Sequence, residues 1–226
     1  MAGVILGLIG IAVAIGVPLF VEWSRRPALR IERGDDVNEH RANPAWRLLH
    51  VRIVNQPLHG WRSHWLLRNP ATSCRVAVLF KSCSDGQEIH MPGRWTASPE
   101  PRSLIGGPPE VPMEYYNLDP VRAGEPSIGM PFDPTKVPGT LRLDLSADAD
   151  GEPVPVAIKF KGEVAAFGFT SESYAYADFR KPDLVLPDEE YLVTIRARAG
   201  GIEVTETFRL HNAGQLETDL RLGSVA

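Results

Sequence analysis

From His40 to Ser84 the chain contains no Asp or Glu, yet it holds Arg41, Arg47, Arg52, Arg62, Arg68, Arg75 and Lys81. Four histidines (His40, His50, His59, His64) and three tryptophans (Trp46, Trp61, Trp65) are interleaved with them. Guanidinium groups hold anions and indole rings offer flat apolar area, so such a stretch is suited to binding rather than to bond making. From Ser103 onward the balance reverses, with 20 acidic residues against 11 basic ones. Asymmetry of this kind can mark a surface for an anionic partner. The candidate interaction surface is therefore Arg47, Arg52, Trp61, Arg62, His64, Trp65 and Arg68.

Three readings of that surface compete. The arginines can be solvated strand faces matched in space by the acidic second half. They can meet anionic lipid headgroups, each contributing about 1 kcal/mol near the surface. They can bind nucleic acid or a nucleotide through arginine–phosphate contacts and tryptophan stacking, the weakest of the three because no RNP, OB or phosphate-loop pattern accompanies the charge, so nucleic acid is not an expected partner. For Trp61 and Trp65 the favoured expectation is that both pin a strand-connecting loop onto the core; the competing one is a recognition patch.

Other chemistry finds little support. No HExxH and no helical histidine pair is present, and Asp148-Ala149-Asp150-Gly151-Glu152 lacks the distal Glu of a calcium loop, so no metal and no cofactor is expected. There is no GxSxG elbow. Cys74 and Cys83 are nine residues apart, which a single strand would stretch to about 30 Å, so both are expected as free thiols, Cys74 in the core and Cys83 in a turn. No catalytic residue is nominated. A hydrolase site in the proline-rich region between residues 92 and 138 is the remaining enzymatic possibility.

The elements that must position these residues begin with an apolar segment. Residues 1 to 21 carry no charged side chain. About 20 apolar residues suffice to cross a hydrocarbon core, so residues 1–23 are expected as a transmembrane anchor. Gly3, Gly7, Gly10 and Ala14 form a small-residue stripe that would suit self-association or pairing with another membrane helix. Arg25, Arg26, Arg30 and Arg33 follow in a basic linker and first strand over 24–33, which predicts a single-pass protein with its carboxy-terminal part in the cytoplasm.

Alternation of apolar and polar positions dominates thereafter. It runs through Leu49, Val51 and Ile53, through Val76, Val78 and Phe80, through Leu141, Leu143 and Leu145, and through Val154, Val156, Ile158 and Phe160. Eleven prolines fall between residues 92 and 138, which reads as a long insertion; Trp95, Tyr115, Tyr116 and Phe132 suggest that it packs partly onto the sheets. Residues 213–226 are expected to form a fraying tail.

Near the end, Leu192–Arg198 and Ile202–Leu210 flank Gly200-Gly201, a hairpin signature, and Tyr191 leads into it. This arrangement resembles the late strand pair of immunoglobulin-like and fibronectin-III-like sandwiches, where a tyrosine closes a corner. The fold class expected is all-β: an immunoglobulin-like antiparallel β-sandwich over 28–212, preceded by one N-terminal transmembrane helix. The function expected is a membrane-anchored, non-enzymatic interaction or recruitment protein with a cytoplasmic sandwich. The alternative is an exported, membrane-tethered module that binds carbohydrate or cell-wall material. The lipid bilayer is the partner common to both.

Overall fold

Period-2 alternation makes each strand bury one face, and two such faces can close on one another. The computed structural model describes residues 2–98, 141–147, 150–176 and 179–225, with side chains of the first helix from residue 13 on. It contains α1 (Ala2–Arg25) and twelve strands: β1 (Leu29–Arg33), β2 (Val37–Glu39), β3 (Trp46–Asn55), β4 (Ala71–Ser82), β5 (Glu88–Pro92), β6 (Leu143–Leu145), β7 (Glu152–Phe160), β8 (Ala166–Gly168), β9 (Val185–Leu186), β10 (Glu190–Ala199), β11 (Ile202–Asn212) and β12 (Leu220–Ser224). One six-stranded sheet has the order β1-β3-β7-β8-β9 with β2 beside β3; the other has β12-β11-β10-β4-β5 with β6 beside β4. Every described pairing is antiparallel. This is a mostly β molecule compatible with a β-sandwich.

The faces turned toward each other form one continuous core. Leu49, Val51 and Ile53 come from the first sheet, and Val78, Phe80, Val193 and Ile195 from the second. The β10–β11 hairpin forms as its sequence predicts: Ala199 faces Ile202, and Gly200 and Gly201 take φ of 52° and 82°. Positive φ at both turn positions matches the right-handed twist of the strands and suits glycine. Tyr191 is buried, and its hydroxyl donates to the Pro187 carbonyl at 3.4 Å, closing the corner that feeds β10.

Three expectations need correction. The first is the transmembrane anchor over 1–23. Among the described residues no helix is long and apolar enough to cross a membrane. Pro18 lies inside α1, and Glu22 and Arg25 stand at its carboxy-terminal end. Ala14 of α1 is exposed, while the surroundings of Gly3, Gly7 and Gly10 lie outside the described residues.

The second correction concerns the carboxy-terminal tail. Its residues Leu220–Ser224 form β12, which pairs with β11 from Phe208–Ser224 to Asn212–Leu220. Leu220 and Leu222 are buried, so the alternation Leu-Arg-Leu was a strand signal in a short segment.

The third concerns β7, expected to keep one apolar face throughout. The register with β3 shifts, pairing Leu49 with Ala157 but His50 with Pro155, so Val156 is an extra residue. A bulge reverses which face later side chains take. Val154, Val156 and Ala157 join the main core, whereas Ile158 and Phe160 join a second cluster with Phe167 and Phe169. Trp46, Leu48, Tyr174 and Phe179 pack against that cluster, so β7 is buried along both faces. The same reversal leaves Lys159 fully enclosed.

Within the proline-rich region, described residues continue to Ser98, and Trp95 lies fully buried in the main core. Tyr115, Tyr116 and Phe132 lie outside the described residues.

His50 carries a pH prediction. It is buried, with Nδ1 unpartnered among the described residues, beneath the turn in which the Gly34 amide donates to the His50 carbonyl at 3.0 Å. Burial holds its pKa below the usual 6.5, opposed more weakly by Asp35 and Asp36. Below pH 6.5 the unfolded chain therefore takes up the proton first, and stability falls until the folded-state pKa is passed. Urea midpoints measured on acidification should decline through this window, and His50→Gln should flatten that part of the decline.

Candidate functional site: the junction of helix and loop

The connection between β3 and β4 starts from Asn55, which is 1% exposed and joins three chain segments. Its Oδ1 accepts from the Ala28 amide at 3.0 Å, while Nδ2 donates to the Asn69 carbonyl at 3.0 Å and the Leu145 carbonyl at 3.1 Å. The Gln56 amide donates a hydrogen bond to the Ala28 carbonyl at 2.8 Å. The two ends of the loop and the exit from α1 are thus fixed together.

A 3-10 turn follows over Gly60–His64, with Gly60 at φ 69° and the Ser63 hydroxyl donating to the Gly60 carbonyl at 2.7 Å. Leu58 is the residue that pins this loop to the core, being 8% exposed. Trp61, Trp65 and Leu67 are 64%, 81% and 69% exposed. The expectation that both tryptophans anchor the loop is corrected: Leu58 does that, and the indoles stand outward.

The loop is tied directly to the end of α1. The Asn69 amide donates to the Arg25 carbonyl at 2.7 Å, Arg25 Nε to the Leu67 carbonyl at 3.0 Å, and Arg68 Nη1 to the Arg26 carbonyl at 2.6 Å. Trp23 is also exposed, and its ring lies 6.3 Å from that of Phe20. The helix end and the loop bonded to it thus carry three exposed tryptophans, and Arg25 and Arg68 make two of the bonds between them.

The other expected site residues separate from this group. Arg47 pairs with Asp36 and donates to the Thr218 carbonyl at 3.2 Å. Arg52 pairs with Asp35 at 3.0 Å. These two are matched by carboxylates lying just outside the acid-free stretch. His64 is exposed on the loop, and the side chain of Arg62 lies outside the described residues. Asn55 and Leu67 carry no signal of these roles in the sequence, and Arg25 is visible there only as part of the basic linker.

A concavity of about 510 Å³ lies on the outer face of β4, β5 and β10, lined by Arg75, His90, Thr194, Arg196 and Arg198 among others. Glu203 engages both Arg196 and Arg198 there. Among the described residues no group of three His, Cys, Asp or Glu side chains could hold a metal ion. No family model, no curated protein and no solved structure matches this chain.

Cys74 and Cys83 are both free, the first buried and the second exposed. Burial pushes the Cys74 thiol up to about 12, so it stays protonated and unreactive at neutral pH. A maleimide should modify one thiol per native chain and two after denaturation, read by mass spectrometry. Rapid native modification at Cys74 would contradict its enclosure.

Proposed function

We propose that this chain is a non-enzymatic interaction or recruitment module, an immunoglobulin-like β-sandwich that works at the cytoplasmic face of a membrane. The observation that carries the reading is the loop with Trp61, Trp65 and Leu67 exposed while its backbone is bonded to the end of α1. Exposed aromatics on a fixed frame are what a binding surface requires, because little entropy is lost when they are covered. The corner made by Tyr191 supports the immunoglobulin-like assignment.

Site-specific photo-crosslinking in cells tests this. A photoreactive residue at position 65 should give a discrete product that is absent when the same residue replaces Thr205, which is exposed on β11. Equal products from both positions would count against a dedicated surface. The exported carbohydrate-binding alternative shares the tryptophans and differs in location. Cys83 reads that directly: labelling in intact cells by a membrane-impermeant thiol reagent would favour the alternative, and labelling only after permeabilisation favours ours.

A further inference from the structure

Building on the contact-surface reading, which leaves the partner open, we infer that the junction of α1 with the 60–69 loop seats on a lipid interface bearing anionic headgroups. Two exposed apolar segments from distant parts of the sequence are joined there through the end of the helix. One is the helix, where Val17, Leu19, Phe20 and Trp23 are exposed; the other is the loop, with Trp61, Trp65 and Leu67. The bonds from Asn69, Arg25 and Arg68 hold the two together. A protein partner would have to match a helix and a loop at once, whereas lipid conforms to both.

Side-chain chemistry agrees with this choice. Indole rings favour the headgroup depth, where one edge is apolar and the N–H meets water. Positive charge rims the apolar residues: Arg26 is exposed, and Arg25 and Arg68 lie beside it at the helix exit. Glu22 is the acidic residue of the same helix end, and Arg30 next along the chain is paired with Glu32 at 3.2 Å. The loop brings no carboxylate, since none occurs from His40 to Ser84. The charge therefore complements an anionic surface, to which each basic residue adds attraction.

Fluorescence quenching tests this with the full chain and vesicles of phosphatidylcholine and phosphatidylserine whose acyl chains carry bromine. A Trp23→Phe background silences the helix indole, Trp95 is fully enclosed by the core, and Trp46 packs part-buried against the second cluster. Bound protein should be quenched, and adding Trp61→Phe with Trp65→Phe should remove most of that quenching. Arg26→Gln should weaken binding to these vesicles about fivefold and leave phosphatidylcholine vesicles unaffected. Vesicle-bound protein whose loop indoles are not quenched would overturn the inference. Crosslinking at position 65 then separates the two readings: a discrete protein product would preserve the contact surface alone, and no specific product would remove both.

Discussion

Asn212→Ala should destabilise the protein by about 3–5 kcal/mol, because it strips partners from an ammonium group sealed in the fold. Lys159 is fully enclosed, and its Nζ donates to the Val164 carbonyl at 3.1 Å, the Gly214 carbonyl at 3.0 Å and Asn212 Oδ1. Asn212 is enclosed as well, and the two hydrogens of its Nδ2 are shared among the carbonyls of Val164 at 3.2 Å, Leu186 at 2.9 Å and Pro187 at 2.7 Å. Removing the amide leaves the charge underpaired and these carbonyls short of a donor. Burial already lowers the Lys159 pKa, opposed by the more distant Asp188 and Asp219. Lys159→Met keeps much of the volume and removes the charge, so it should cost only about 1–3 kcal/mol. In that background Asn212→Ala should cost less than it does alone, the mark of two residues acting together. Urea midpoints with unchanged slopes would report these differences.

Trp95→Ala should also cost about 3–5 kcal/mol, through the cavity it leaves. The indole is fully buried in the main core, and the chain around it is fixed at short range. Gly93 donates to the Val76 carbonyl at 2.8 Å, and the Thr96 amide to the Pro153 carbonyl at 3.0 Å, so the backbone bridges both sheets. A Cβ at Gly93 would lie 2.8 Å from that of Val76, which shows how little the segment can move to fill a hole. Trp95 Nε1 has no hydrogen-bond partner among the described residues. Trp95→Phe therefore forfeits only volume and should cost about 1–1.5 kcal/mol or less. A similar loss for both substitutions, measured by denaturant titration, would mean that the indole N–H contributes after all.

The parts of this fold that were legible are those governed by local chemistry. Gly200-Gly201 between two alternating runs could form only a tight hairpin, and Tyr191 before it marked the corner. Val76, Val78 and Phe80 showed their buried face because β4 keeps its register there. What could not be read depends on contacts between distant segments. The bulge at Val156 is a property of the β3–β7 pairing, and it decides that Lys159 is enclosed while Phe160 joins the second cluster instead of the main core.

The candidate site divides on the same principle. An acid-free stretch made Arg47 and Arg52 look available, yet Asp36 and Asp35 reach them from the turn after β1. Trp61 and Trp65 were singled out by composition, but an apolar residue in a loop can face either way. Leu58 settles the question by occupying the core position. The role of Asn55 emerges only when Ala28, Asn69 and Leu145 converge on it. The helix was the reverse case, where composition suggested a crossing that the described residues do not bear out.

Amide hydrogen exchange of the full chain, free and on phosphatidylserine-containing vesicles, examines the helix–loop junction most directly. Slower exchange across residues 60–69 and at the end of α1, with the β10–β11 hairpin unchanged, is the result expected of a junction that seats on lipid. Protection confined to the outer face of β4, β5 and β10, or exchange at 60–69 that ignores the vesicles, would contradict it.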